Sequence, residues 1–110
     1  MKNEKLKYDI DLLQVYKAQK AYVQKAEKSG DTDTLYYRCL QNNVIKAERL
    51  MEKIREIQKP AYAGMTEAVY VEREKQQKVA EMYGISVRTL QRECNKILWE
   101  ATNAIQKQQH

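Results

Sequence analysis

The chain has 110 residues, 43% of them hydrophobic and 32% charged, which suits one packed domain and is too apolar for a disordered chain. With only 3 Gly and 1 Pro it lacks the turn formers that an all-β protein of this size needs, so the composition predicts an all-α fold. Lys+Arg exceed Asp+Glu by 20 to 15, a net charge of +5 that is compatible with nucleic acid as a partner.

The single His, His110, is the last residue, where chains fray. A catalytic triad or a His-ligated metal site is therefore not expected, and neither are enzyme activity, a cofactor or a metal. Cys39 and Cys94 lie too far apart for a zinc module. Both fall on apolar faces of predicted helices, so they read as reduced core thiols of a cytosolic protein. No apolar run approaches the roughly 20 residues that span a bilayer, and Met-Lys-Asn-Glu-Lys-Leu has no signal-peptide core. The expectation is a cytoplasmic protein with no membrane contact.

Residues 5–28 form the first predicted helix. Tyr8, Leu12, Val15, Tyr22 and Ala26 make an apolar stripe, widened by Leu13, Tyr16 and Val23, with Lys17, Lys20, Lys25 and Lys28 mostly opposite. Those lysines suit a solvated face better than a second phosphate-binding surface. Gly30 can end the helix in the left-handed conformation, and Asp31 or Asp33 can cap the next one.

Residues 34–58 are the most regular stretch. Tyr37, Leu40, Val44, Ala47, Met51 and Ile54 alternate in spacings of three and four, with Ile45, Leu50 and Ile57 beside them. The seam suits either intramolecular core or a coiled-coil dimer. The short connection folds the two helices into an antiparallel hairpin, and Pro60 ends the second. Residues 1–59 thus form a hairpin for dimerisation or partner binding, and 60–110 a second region. Residues 59–65 are the linker, and a short helix should run from Thr66, as N-cap, to about Glu72.

After Val69 the constraints of a helix-turn-helix recur. Ala80 is small where two helices cross, and Gly84 occupies the turn. Ile85 is the apolar plug and Ser86 the cap, with Val79 and Leu90 on the inner faces. The second helix would place Ser86, Val87, Arg88, Gln91, Arg92 and Asn95 at base edges in the major groove. Lys75, Gln76, Gln77 and Lys78 open the first helix, where amides and the positive dipole end meet phosphate. From 75 to 96 there are five basic residues against two acidic ones, so positive charge gathers on this unit. Leu90, Cys94, Leu98, Ala101 and Ile105, with Ile97, carry the stripe on to about residue 106. Trp99 is placed to pack under the hairpin or to meet a partner, and Gln106–His110 should fray.

On Tyr70-Val71-Glu72, Val79-Ala80, Tyr83-Gly84-Ile85-Ser86, Thr89-Leu90 and apolar Cys94, Ile97 and Leu98, the stretch 69–98 resembles the helix-turn-helix of sigma-factor region 4. It also resembles small phage transcription regulators of the ArpU/RinA type. The resemblance covers roughly a quarter to a third of the chain. It implies a DNA-binding role in transcription, with Ser86, Val87, Arg88, Gln91 and Arg92 facing the major groove. That family often has Gly and Ser/Thr where this chain has Arg73 and Lys75, so a continuous or sharply bent helix is an alternative to a loop there.

The expected protein is all-α: an N-terminal antiparallel hairpin plus a helix-turn-helix with an extended recognition helix. It would regulate transcription by sequence-specific binding of double-stranded DNA, as a phage or mobile-element product. It would act as a homodimer through its long helices, with RNA polymerase as a possible partner. The alternatives are a DNA-packaging (small terminase-like) or recombination protein assembling as a ring, and a helical module that binds a regulator or polymerase.

Overall fold

A computed structural model describes residues 2–108; His110 and Gln109 lie outside the described residues. The chain is all-helical, with six α-helices and no strand among the described residues: α1 (Lys2–Gln14), α2 (Tyr16–Ser29), α3 (Leu35–Ile57), α4 (Met65–Tyr70), α5 (Gln76–Tyr83) and α6 (Val87–Gln108). A single 3-10 turn, Pro60–Tyr62, joins α3 to α4.

The helix expected over 5–28 is divided at Val15, whose backbone (φ −98, ψ 0) leaves the helical region. The division lets α1 pack on α3, α4 and α6 while α2 lies along α3. It also corrects the stripe. Asp9, Leu12, Leu13, Val23 and Ala26 are buried, whereas Tyr8, Val15 and Tyr22 are exposed. Asp9 earns its burial by accepting a hydrogen bond from Thr102 of α6, across 93 residues of chain.

Gly30 ends α2 in the left-handed conformation (φ 77), as its position predicts. The cap of α3 is Thr34, which accepts from the Tyr37 amide at 3.0 Å; the expected caps Asp31 and Asp33 lie outside it. All six seam residues of α3 are buried within the chain, whereas Ile45, expected beside them, is exposed. The seam is intramolecular core: Met51 packs with Leu12, Leu13, Leu98 and Ala101. The seam residues therefore face the interior of the folded chain and leave no apolar stripe of their own on its surface.

Thr66 does not cap α4. Gly64, at φ 80, holds the N-cap position, and Thr66 is buried inside the first turn, donating to Gln58 Oε1 at 2.7 Å. After Tyr70 the chain turns, with Arg73 in the left-handed region (φ 55) and the Glu74 amide bonded back to the Ala68 carbonyl. A continuous helix is excluded there. A Cβ is strained at this φ, so Arg73 holds a backbone conformation that glycine would adopt more easily.

α6 joins the two regions expected at 1–59 and 60–110. Its N-terminal half, through Leu90 and Cys94, packs with Met65, Val69, Val79 and Ala80. Its C-terminal half, through Ile97, Leu98 and Ala101, completes the core of α1 and α3. Trp99 is half-buried on α6, and the polar tail expected to fray from Gln106 is helical to Gln108. Of the two thiols, Cys94 is buried and Cys39 exposed, so the core reading fails for Cys39, which flanks the α3 seam. Burial pushes the Cys94 thiol up, which keeps it protonated.

Candidate nucleic-acid interface

Two short segments fix the geometry between α5 and α6. Gly84 adopts φ 67, ψ 34, and its amide bonds to the Ala80 and Glu81 carbonyls. The Ile85 amide also reaches Ala80, at 3.0 Å, so the last carbonyls of α5 are satisfied as the chain reverses. Ser86 then starts α6: its Oγ accepts from the Thr89 amide at 3.1 Å and donates to Thr89 Oγ1 at 3.0 Å. Val79, Ala80 and Leu90 are buried as expected, and Ile85 is half-buried against the same cluster.

Outward from this turn, Arg88, Gln91, Arg92 and Asn95 are exposed and share one face of α6 by their three-and-four spacing. Arg88 and Arg92 have no ion-pair partner among the described residues, so both charges face solvent. Two other members of the expected base-reading set are less free. Ser86 spends its hydroxyl proton on Thr89, and Val87 is half-buried against the Leu90 cluster.

Lys75, Gln76, Gln77 and Lys78 are all exposed at the start of α5. Lys75 holds the N-cap position and makes no side-chain cap hydrogen bond, so among the described residues the first amides of α5 are left uncapped. Uncapped amides and the helix dipole favour an anion there. Lys78 is 3.8 Å from Glu74, a loose, exposed pair that neutralises little. By contrast, Lys17 pairs with Glu72 at 2.6 Å and Lys20 with Glu48 at 2.8 Å, so these N-terminal lysines are engaged within the chain.

The two groups of residues are linked. Gln91 Nε2 donates to Gln76 Oε1 at 2.7 Å, joining the start of α5 to the exposed face of α6. Both glutamines line a cavity of about 240 Å³ together with Tyr70 and Asn95, and Tyr70 donates to Asn95 Oδ1 at 3.3 Å. Burial, aided by Cys94, pushes the Tyr70 phenol up to about 12, so it stays a donor at neutral pH. With Asn95 Oδ1 taken up by Tyr70, its N–H groups remain available, which suits an acceptor such as guanine O6 or N7. Tyr70, which the sequence offers only as part of the motif resemblance, is not among the expected site residues, yet it borders this face.

No family model, no curated protein and no solved structure matches the chain.

Proposed function

We propose that the chain is a sequence-specific double-stranded DNA-binding transcription regulator, in which α5 and α6 act as a helix-turn-helix. One observation carries this reading. The uncapped start of α5 lies beside the exposed Arg88–Gln91–Arg92 face of α6, and the Gln76–Gln91 hydrogen bond holds the two together. Phosphate contacts fix a protein on the duplex and side chains on an adjacent helix read base edges; this arrangement offers both within one rigid unit. Arg88 and Arg92 suit guanine, and Gln91 suits adenine.

The reading is tested by selecting bound sequences from random duplexes and following the salt dependence of binding to the winner. A single enriched sequence, bound less tightly as salt rises, is the expected result. Mass by light scattering separates regulation from packaging, because a packaging protein assembles as a ring of many subunits.

A second reading, a helical module that binds a regulator or polymerase, is favoured by the exposure of Leu35 (77%) and Tyr36 (60%) at the end of the α2–α3 pair. A chain that enriches no DNA sequence, yet is captured by polymerase, would put this reading first.

A further inference from the structure

We infer that Gln76 is a positioning residue that makes Gln91 a reader of adenine. The inference rests on the DNA-binding reading above. Gln76 opens α5 beside its uncapped amides, and its side-chain oxygen accepts from Gln91 at 2.7 Å. A primary amide carries one acceptor oxygen and two N–H donors. Phosphate oxygens only accept, so a Gln76 side chain that faces phosphate must turn its N–H groups outward. Its oxygen then points back at Gln91, and Gln91 must answer with an N–H.

That choice fixes what Gln91 has left. Its oxygen and its second N–H remain for the groove, an acceptor beside a donor. Adenine presents the complement at its major-groove edge, the N6 donor beside the N7 acceptor. Guanine presents two acceptors, O6 and N7, and would set O6 against the Gln91 oxygen. Cytosine or thymine satisfies only one of the two groups. A phosphate contact that carries no sequence information by itself thereby sets the polarity of a base contact 15 residues away in the chain.

Two substitutions at Gln76 separate the roles. Gln76→Lys keeps a phosphate donor but gives Gln91 no acceptor. Gln76→Glu keeps the acceptor but repels phosphate. Sites selected from random duplexes by the parent and by Gln91→Ala identify the base pair that Gln91 reads, which should be A·T. At that pair, Gln76→Lys should reduce a preference of roughly tenfold or more to within about twofold, while still binding duplex DNA. Gln76→Glu should bind all sequences more weakly and keep the adenine preference. Circular dichroism and thermal melting establish that each variant is folded. A Gln76→Lys variant that keeps the preference, a Gln76→Glu variant that loses it, or a Gln91 position that selects guanine or cytosine overturns the inference. A parent that enriches no sequence overturns the DNA-binding reading itself, and the inference with it.

Discussion

Gln91 and Gln76 are joined by a 2.7 Å hydrogen bond that spans the turn between α5 and α6. The bond joins the exposed face of α6 to the start of α5, across a turn whose backbone is held by Gly84 and Ser86. Two exposed members of the reading face then become testable without disturbing the core. Arg88→Ala and Gln91→Ala should each weaken binding to the selected site by roughly 1–3 kcal/mol while leaving helicity by circular dichroism unchanged. Parent-like affinity in both variants would show that this face does not meet DNA.

Gly84 tests the turn itself. A Cβ built there meets nothing within 4 Å, so the cost of a side chain comes from its φ of +67 alone. Gly84→Ala should cost roughly 1–2 kcal/mol, and the β-branched Gly84→Val should cost at the upper end of roughly 1–3 kcal/mol. Chemical denaturation measures both. An unchanged midpoint in the two variants would mean that the turn does not hold this conformation in solution.

The loop before α5 holds stability in reserve. Arg73 occupies φ 55 with a Cβ, and Lys75 leaves α5 without a side-chain cap. Arg73→Gly should stabilise the chain by about 0.5–1 kcal/mol, the strain relieved exceeding the entropy that glycine adds to the unfolded state. Lys75→Ser should add about 1 kcal/mol by capping α5. The same cap would occupy amides assigned to phosphate, so Lys75→Ser should also bind DNA more weakly. Tighter binding by that variant would contradict the assignment.

Much of this fold is legible in the residues, and the failures have physical causes. The seam of α3, the Gly84 turn and the Ser86 cap follow from periodicity and from local backbone chemistry. The first helix misleads because Tyr8, Val15 and Tyr22 repeat every seven residues, yet the buried face is one residue over, where Asp9 is paid for by a distant hydroxyl. No local pattern carries a bond between Asp9 and Thr102. Thr66 reads as a cap because it is a good one, but Gly64 supplies the turn, and Thr66 is needed inside by Gln58. The Gln76–Gln91 and Tyr70–Asn95 pairs are invisible for the same reason as Asp9–Thr102: polar contacts across a turn or between helices leave no spacing rule.

Asp9 gives the chain a distinctive pH response. Burial raises its carboxyl pKa, opposed by the Thr102 hydrogen bond and by Lys5. A carboxyl with a raised folded pKa binds its proton more tightly in the folded state. Its contribution to stability is therefore greatest in acid and falls as pH rises through the folded value. Asp9→Asn keeps an acceptor for Thr102 and removes the charge. Relative to the parent, this variant should be stabilised at pH 7, and the difference should shrink below the ordinary carboxylate range. A difference that does not change with pH would show that Asp9 is not held in the buried environment described.

Met51 distinguishes core from interface. At 5% exposure, packed against Leu12, Leu13, Leu98 and Ala101, it belongs to the interior of one chain. Met51→Ala should cost roughly 2–5 kcal/mol in denaturation, and Met51→Glu should unfold the chain at any protein concentration. A Met51→Glu variant that stays folded and only loses a partner copy would place the seam at an interface instead.

The most direct test of the DNA-binding account is an NMR titration of the labelled chain with its selected duplex. The account predicts that the largest backbone amide shifts fall at 76–78, in the first turn of α5, and at 86–95, over the first turns of α6. The exposed ends of α2 and α3 should stay nearly unchanged. Shifts concentrated around Tyr22, Leu35 and Tyr36, or no shifts with any duplex, would contradict it.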